Sequence, residues 1–251
     1  MPKVSVVIPC YNLGLYLDQA IRSVLAQTFA DFEIIVVNDG STDAETQRIL
    51  QEGEWPRTRV IHTPNRGVSA ARNFGIAQAY GEYVLPLDAD DRIGPNYLRQ
   101  ALEILDEQAE VGIVYCGAEL LGELNGHWML PEFSLSHQLL DNLIFSAALF
   151  RRADWQAVGG YAEGMQAGWE DWDFWNRLLG LGREVVKLPG VQFYYRIRRD
   201  SRERSLSPMA KSRLLLKMLS RHRKLYWRHV IDIVKILRAG ERRRPGSIKV
   251  E

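Results

Sequence analysis

The stretch YVLPLDADDRI (residues 83–93) begins as an apolar run and ends in acid. Residues 83–87 have the uninterrupted apolar character of a strand that is buried on both faces. Asp88, Asp90 and Asp91 follow within four residues, where such a strand would run out. Carboxylates this close repel one another unless a cation or solvent compensates their charge. The stretch therefore predicts either a solvated turn before the next helix or a site for a hard cation such as Mg²⁺ or Mn²⁺.

The first 115 residues alternate between two patterns. Short apolar, often β-branched runs predict buried strands at residues 4–8 (ended by Pro9), 32–37 and 82–87, and a short strand at residues 59–63. Helical spacing or helix-favouring composition predicts helices at residues 14–27, 43–52 and 67–80. This alternation is typical of βαβ units, and the chain of 251 residues is long enough for one large α/β domain on a parallel sheet.

The pattern is looser after residue 115. It predicts a strand at 111–120 and a loop or mobile segment at 122–142, and the apolar run at 143–150 fits either a strand or a helix. A helix with a glycine stop is predicted at 169–182, followed by strands at 183–189 and 191–197. Basic helices are predicted at 207–238 and a disordered end at 240–247. The apolar face of the basic helices is predicted to hold Leu214, Met218, Leu225, Ile233, Val234 and Leu237.

Charge is distributed unevenly, although the net charge is only +1. Residues 1–195 hold 14 Lys and Arg against 26 Asp and Glu, whereas residues 196–251 hold 18 against 5. A basic segment of this kind indicates contact with an anionic surface or with the acidic body itself. Three interpretations stay open: the segment packs on the body, binds anionic lipid headgroups, or self-associates. A nucleic-acid partner is not expected, because the segment lacks a recognised binding fold.

Cysteine usage and hydropathy favour a cytoplasmic protein. Cys10 and Cys116 have neither a disulfide framework nor metal-ligand spacing, which fits a reducing compartment. No apolar run approaches the roughly 18–20 residues of a spanning helix. The chain opens directly into KVSVVIPCYN (residues 3–12), without a secretory leader. We therefore expect a cytoplasmic protein that is soluble or peripheral on the inner face of a membrane.

Polar residues follow three of the predicted strands. These clusters are PCYN (9–12), NDGSTD (38–43) and DADD (88–91). Ligands on open α/β sheets bind outside the carboxyl ends of the strands, so the three clusters predict one binding site. Within it, Asp39 is suited to accept hydrogen bonds from a base or ribose, although Asn, Asp and Gly also form turns and helix caps.

Two further segments carry charged residues of interest. NRGVSAARN (65–73) places Arg72 just inside a helix, where it would bind a diphosphate, pair with an acid of the site, or lie on the surface. GWEDWDFW (168–175) places Glu170 and Asp171 at a helix N-terminus, which the helix dipole alone would favour. Each segment alone is compatible with a purely structural role.

In this order, four segments resemble the family-2 glycosyltransferases of the GT-A fold. They are VSVVIPCYN (4–12), VVNDGSTD (36–43), NRGVSAARNFGIAQAYGEYVLPLDADD (65–91) and GGYAEGMQAGWEDWDFWNRL (159–178). The resemblance covers about residues 3–197. It implies an α/β, Rossmann-like, mixed but mostly parallel sheet flanked by helices. Residues 1–200 would form this domain, with a nucleotide-binding half (1–115) and an acceptor half (116–200), followed by a basic helical extension (201–251).

The resemblance also implies an activity: inverting sugar transfer from a nucleotide-diphosphate sugar, with UDP favoured, to a glycan or lipid-linked acceptor. Asp171 matches the general base, with Glu170 beside it, and Asp90 matches the acid that binds a divalent Mn²⁺ or Mg²⁺. The nucleotide-binding positions are Pro9, Tyr11, Asn12, Asp39, Asn65, Arg72, Asp88 and Ala89.

The chain departs from the family after its last predicted strand. Many relatives carry there a histidine that completes the metal coordination, whereas FYYRIRRDSRERS (193–205) contains none. Either water takes that position, or Arg196, Arg198 or Arg199 supplies positive charge to the diphosphate.

Other classes fit the sequence less well. A dinucleotide oxidoreductase would carry G-x-G-x-x-G after a strand, and none is present. A sugar-phosphate nucleotidyltransferase would carry a Gly-rich, Arg-containing loop after the first strand, where this chain has PCYNLGLY (9–16). A non-catalytic nucleotide-sugar-binding or scaffold protein of the same fold remains the alternative, although such a protein would be expected to have lost some of the acids.

Overall fold

The computed structural model describes residues 1–165, 168–198 and 206–240. Its strands are β1 (Val4–Cys10), β2 (Phe32–Asp39), β3 (Thr58–Thr63), β4 (Tyr83–Pro86), β5 (Arg92–Ile93), β6 (Val111–Gly122), β7 (Gly126–Trp128), β8 (Leu149–Arg151) and β9 (Glu184–Ile197). Its helices are α1 (Gly14–Leu25), α2 (Ala44–Glu52), α3 (Val68–Ala77), α4 (Tyr97–Glu107), α5 (Leu135–Leu140), α6 (Arg152–Ala157), α7 (Glu170–Gly180), α8 (Pro208–Arg221), α9 (Arg223–Arg228) and α10 (Val230–Arg238).

One mixed sheet contains the described strands, in the order β3-β2-β1-β4-β8-β6-β9-β5, with β7 added to β6. Strands β1 to β4 pair in parallel, as do β6 and β9. Strand β8 runs antiparallel to both β4 and β6, and joins the two parallel groups. The predicted α/β fold, with a mixed and mostly parallel sheet, is therefore confirmed.

The sheet is buried along its centre. All seven residues of β1 are buried, as expected for a strand with a neighbour on each side and helices over its faces. The core beyond β4 is largely aromatic: Phe174 lies 5.0 Å from Phe150 and 4.1 Å from Tyr161, measured between ring centroids. These rings fix α7 against the sheet.

Four predictions of elements need correction. Strand β1 continues through Pro9 to Cys10; pairing with β4 ends at Val7, so only β2 flanks this last part of the strand. The segment 122–142 is not a simple loop, since it contains β7 and α5. The ambiguous run 143–150 ends in the short strand β8. The two strands predicted from 183 to 197 are one strand, β9, with register shifts against β6.

The basic helices exist as predicted, but their apolar residues divide into two groups. Leu214 and Met218 of α8 pack against Trp169 and Trp172, and Leu225 and Ile233 of α9 and α10 pack against Leu139. Val234 and Leu237, also predicted for the apolar face, are exposed. The disordered end is predicted for residues 240–247, and residues from 241 onward are not among the described ones. Across the described ranges, none of the helices combines the length and the apolar character needed to cross a bilayer.

Gly75 of α3 allows the helix to approach the sheet closely. A Cβ there would lie 2.5 Å from Cγ1 of Val7 and 2.9 Å from Cγ2 of Val37, which are buried, stiff side chains. We expect Gly75→Ala to lower the free energy of unfolding by about 1–3 kcal/mol through overpacking. Gly180→Ala in α7 is the matched control, because a Cβ there meets no atom within 4 Å. Urea unfolding should show it neutral or slightly stabilising; equal losses in both variants would contradict the close-packing explanation.

Candidate active site

A cavity of about 710 Å³ opens at the carboxyl ends of the parallel strands. Every residue to which the family resemblance assigns a catalytic, nucleotide-binding or metal-binding role lines it: Pro9, Tyr11, Asn12, Asp39, Asn65, Arg72, Asp88, Ala89, Asp90, Glu170 and Asp171. These residues come from the ends of β1, β2 and β4, from the start of α3 and the loop before it, and from the start of α7. The fold therefore brings these eleven predicted positions together in one cavity.

Asn12 ties the end of β1 to the loop after β2. Its side-chain oxygen accepts hydrogen bonds from the main-chain N–H of Thr42 at 2.7 Å and from that of Asp43 at 3.2 Å. The main-chain N–H of Asn12 donates to Ser41 Oγ at 3.0 Å. The residue has φ +55, a left-handed conformation that Asn tolerates better than most residues. Asp43 in turn caps α2 by accepting the N–H of Thr46. One rim of the cavity is thus built from side-chain-to-backbone hydrogen bonds.

Asp39 holds the loop that leads into α3. Its Oδ1 accepts the main-chain N–H of Arg66 and its Oδ2 that of Gly67, both at 2.8 Å. Gly67 has φ +90, which a residue with a side chain would adopt only with strain. Asp39 is 4% exposed. Its carboxylate therefore shapes the cavity wall as well as facing a prospective ligand.

Arg72 is buried and bridges two acids. Its Nη2 lies 2.6 Å from Asp88 Oδ1 and its Nη1 lies 3.0 Å from Glu170 Oε1, with only 2% of its side chain exposed. Burial disfavours the charged guanidinium, but the two carboxylates outweigh it and raise the pKa of Arg72 above its usual value. Of the interpretations that the sequence left open, the structure thus selects pairing with acids of the site and excludes a surface position.

Asp90 and Asp91 occupy different environments after β4. Asp90 Oδ2 is ion-paired with Arg198 Nε at 2.9 Å, and Asp91 Oδ1 accepts the N–H of Arg196 at 2.8 Å. Burial and the neighbouring charge of Asp88 raise the pKa of Asp90 to about 6, against the opposing charge of Arg198. Asp91 is buried and ties the end of β9 to this turn. Asp90 therefore faces the cavity, whereas Asp91 is structural.

The residues at this turn fit a divalent cation that binds together with a ligand. In the part of the chain that the structure describes, no cluster of three or more His, Cys, Asp or Glu side chains forms a complete metal site. Asp88 and Asp90 nevertheless line one cavity, and Mg²⁺ is usually held by one or two carboxylates plus substrate phosphates. Burial and the neighbouring charge of Asp88 raise the pKa of Asp90, and a cation bound there would favour its charged form.

Helix α7 begins at the cavity with an unusual residue. Trp169, which precedes it, has φ +62, a left-handed conformation that costs a non-glycine residue about 1 kcal/mol. Its ring lies 5.1 Å from that of Trp172 and packs with Leu214 and Met218 of α8. Asp171 follows in the first turn, and its Oδ2 accepts the side-chain N–H of Asn142 at 3.0 Å.

The C-terminal helices anchor α7 one turn further on. Asp173 has no exposed side-chain surface and receives Arg177 Nε at 3.0 Å, Arg221 Nε at 2.6 Å and His222 Nε2 at 2.9 Å. Burial opposes the charged carboxylate, but the hydrogen bonds from His222 and Arg221 and the charge of Arg177 hold the pKa of Asp173 well below its usual range. The extension is therefore joined to the helix that carries Asp171.

Several residues of the cavity carried no sequence signal. Asn142 lies in the segment that was predicted as a loop, and no motif marks it. Trp128, Phe145 and Tyr195 form an aromatic wall, with Trp128 4.9 Å from Phe145 and 5.2 Å from Tyr195 between ring centroids. Arg196 and Arg198, which the sequence offers as sources of positive charge for a diphosphate, line the cavity, whereas Arg199 lies outside the described residues.

Comparison with known proteins agrees with this geometry. The sequence profile described as Glycosyl transferase family 2 matches residues 5–159. An uncharacterized glycosyltransferase of Rickettsia typhi is 33% identical over 196 residues, which cover 71% of this chain and 59% of that protein. The chondroitin synthase of Pasteurella multocida is 30% identical over 191 residues, covering 73% of this chain and 19% of that one. The chain belongs to glycosyltransferase family 2, so the resemblance seen in the sequence is confirmed.

A solved structure shares the fold. Residues 1–349 of TarS from S. aureus, in complex with UDP-GlcNAc, align with a TM-score of 0.67 at 22% identity, over 88% of this chain and 72% of that one. The GT-A fold is therefore confirmed. The chain spans 59% or less of the length of the two sequence relatives named above.

The anchor at Asp173 predicts a pH-dependent stability. Because its pKa is lowered on folding, its contribution is fully present above the unfolded pKa of about 4 and is lost as the pH falls below that value. At neutral pH, Asp173→Asn should cost about 3–5 kcal/mol of unfolding free energy, since it removes the buried carboxylate that pairs with Arg177 and Arg221. The gap to the wild type should narrow toward pH 3 in urea unfolding curves.

Asp232→Asn is the matched control, because the ion pair of Asp232 with Lys235 is exposed and should contribute less than about 1 kcal/mol. Arg221→Gln removes one of the three partners of Asp173 and should give an intermediate loss, even if Asp173→Asn does not fold. A loss at Asp232 as large as at Arg221 would refute the assigned importance of the buried cluster.

Proposed function

We propose that this chain transfers a sugar from a nucleotide-diphosphate sugar, with UDP-sugars favoured, to a hydroxyl of a glycan or lipid-linked acceptor, with inversion at the anomeric carbon. One observation carries the proposal: acids and an arginine from separate strand and helix ends line a single cavity in a family-2 glycosyltransferase fold. TarS, which shares the fold, has been crystallised with UDP and with UDP-GlcNAc.

The nucleotide would bind in the half formed by residues 1–115. Tyr11 is 45% exposed at the mouth of the cavity, which suits an aromatic ring that stacks on a base. Pro9, Asn12, Asp39 and Asn65 would complete the base and ribose site, and Asp88 and Ala89 would lie near the ribose and donor sugar. Arg72 is held by two carboxylates, so its part would be to position Asp88 and Glu170 around the diphosphate.

Positive charge for the diphosphate would come from the turn after β4 and the end of β9. Asp90, with Asp88 beside it, would hold a divalent Mn²⁺ or Mg²⁺. Such a cation would neutralise charge on the departing nucleoside diphosphate. Arg198 is bound to Asp90, and Arg196 lies with its guanidinium 4.7 Å from the ring centre of Tyr16. These two arginines stand where relatives of the family place a histidine, and would add positive charge there.

Asp171 would act as the general base. Its Oδ takes the proton of the acceptor hydroxyl while that oxygen forms a bond to the anomeric carbon. The bond from that carbon to the diphosphate oxygen breaks on the opposite face, and the nucleoside diphosphate leaves with the electron pair. Glu170, the other acid of the pair, pairs with Arg72 and would position the helix that carries Asp171. Asn142 would orient the base through its hydrogen bond.

The acceptor would bind in the half formed by residues 116–200, against the aromatic wall of Trp128, Phe145 and Tyr195. Residues 201–251 would form a separate basic extension. Residues 196–251, which include this extension, hold 18 Lys and Arg against 5 Asp and Glu, and this excess favours peripheral association with an anionic membrane on the cytoplasmic side. A lipid-linked acceptor would be reached there.

The role of Asp171 predicts a separation of turnover from binding. General-base assistance contributes about 10²–10⁴-fold, so Asp171→Asn should lower the rate of nucleotide release from the donor by that factor. Its affinity for UDP, measured by calorimetry, should stay within about twofold of the wild type, because the nucleotide site is unchanged. Asp141→Asn, an equal change at a neighbour in the same cavity, is the matched control. A larger rate loss at Asp141 than at Asp171 would move the base to Asp141.

The charge donors predict a pattern of nucleotide binding. UDP, GDP and dTDP are titrated by calorimetry, each with Mn²⁺ and with EDTA. One nucleotide should bind in a metal-dependent manner, Asp90→Ala should abolish that dependence, and Arg198→Ala should weaken binding but retain it. Binding that is equal with Mn²⁺ and EDTA, and is lost in Arg198→Ala, would assign the charge to arginine alone. No binding of any of the three to folded protein would refute the proposed donor class.

A further inference from the structure

The last two helices present an apolar stripe to solvent. Trp227, Val230, Ile231, Val234 and Leu237 are 79, 41, 69, 38 and 41% exposed, respectively. Their spacing of three and four residues puts them on one face. Main-chain hydrogen bonds from His229 to Leu225 and from Ile233 to His229 carry the helical course across the junction of α9 and α10. These five residues, called here the apolar stripe, form one continuous surface.

The opposite face of the same helices is fixed to the body. Leu225 and Ile233 pack on Leu139 of α5, and the Tyr226 hydroxyl donates to the Leu139 carbonyl at 2.6 Å. The orientation of α9 and α10 is therefore set by buried contacts, and the stripe points away from the protein because of them. Exposing five large apolar side chains in a row is costly for a monomer in water, and such patches mark sites of association.

Basic residues border the stripe. Lys224, Arg228 and Lys235 are exposed and share the helical face next to it. Residues 223–238 hold five Lys and Arg against the single acid Asp232. A helix with an exposed apolar face flanked by Lys and Arg, and with a Trp in that face, has the composition of helices that lie in the membrane interface.

We infer that the apolar stripe and its basic border form a docking surface for an anionic lipid bilayer, in which α9 and α10 lie in the plane of the headgroups. Charge complementarity selects this occupant: residues 1–195 carry a net charge of −12 and residues 196–251 a net charge of +13, counted from the sequence. An anionic surface attracts the extension and repels the body, so it orients the molecule with the stripe facing the lipid. The part of this inference in which docking brings the protein to a lipid-linked acceptor rests on the function proposed above.

The test is flotation of the full chain with two kinds of vesicle, one of phosphatidylcholine alone and one of phosphatidylcholine and phosphatidylglycerol in equal parts. The wild type should float with the anionic vesicles and weakly with the neutral ones, and added salt should reduce binding. Trp227→Ser with Ile231→Ser should lower the partition coefficient at least about tenfold, since both changes remove interfacial apolar surface. Lys224→Gln should lower it about fivefold.

Leu15→Ser is the matched control, because Leu15 and Ile231 are both 69% exposed but Leu15 lies on α1 of the acidic body. Equal flotation with both vesicle types, or the same loss for Leu15→Ser as for the variant that combines Trp227→Ser with Ile231→Ser, would overturn the inference. So would a wild type that does not float but forms a dimer that Trp227→Ser dissociates, since the stripe would then be a protein interface. The flotation assay contains no sugar donor. A protein that floats but neither binds nucleotide nor transfers sugar would therefore refute the proposed function and leave the membrane inference intact.

Discussion

The buried guanidinium of Arg72 is the interaction on which the cavity depends. It connects α3, the end of β4 and the start of α7, through Asp88 and Glu170. A charge with 2% exposure is tolerated only when it is paired, and removing one partner of a buried pair costs about 3–5 kcal/mol. The three elements are therefore held together by the same requirement. Because neighbouring residues of a helix point in different directions, Glu170 faces Arg72 while Asp171 faces Asn142.

A second buried charge fixes the same helix from the C-terminal side. Asp173 lies one turn beyond Glu170 and is bound by Arg177 of its own helix and by Arg221 and His222 of the extension. Between the two anchors, Trp172 is buried and its Nε1–H donates to the Gln138 carbonyl at 2.6 Å. The first turn of α7 is therefore held by both anchors, as expected of an element that carries the proposed general base Asp171. The left-handed residue Trp169 is sustained by the same packing.

The sequence predicted the cavity residues well because parallel topology is a strong constraint. Once alternating strands and helices are recognised, the carboxyl ends of the strands must meet, and Asp39, Asp88 and Asp90 come together. The rest of the site escaped prediction for local reasons. Strand β7 and helix α5 have three and six residues, too few for a periodic signal. Pro189 and Gly190 suggest a strand break, whereas β9 passes them with a register shift. Periodicity also cannot tell which residues of an apolar face meet the body, so the sequence did not separate Leu225 and Ile233, which pack on Leu139, from Val234 and Leu237, which are exposed.

The extension connects the proposed membrane surface to the proposed base by a short path. The face of α9 and α10 opposite the stripe packs on Leu139 of α5, and α5 ends at the next residue. Two residues further on, Asn142 donates its hydrogen bond to Asp171 inside the cavity. The proposed lipid-binding surface around Trp227 and Ile231 is thus joined through α5 to the side of the cavity where the acceptor hydroxyl would be deprotonated. An acceptor carried on a membrane lipid would then need no separate carrier, because docking of the protein brings the lipid surface to the acceptor half.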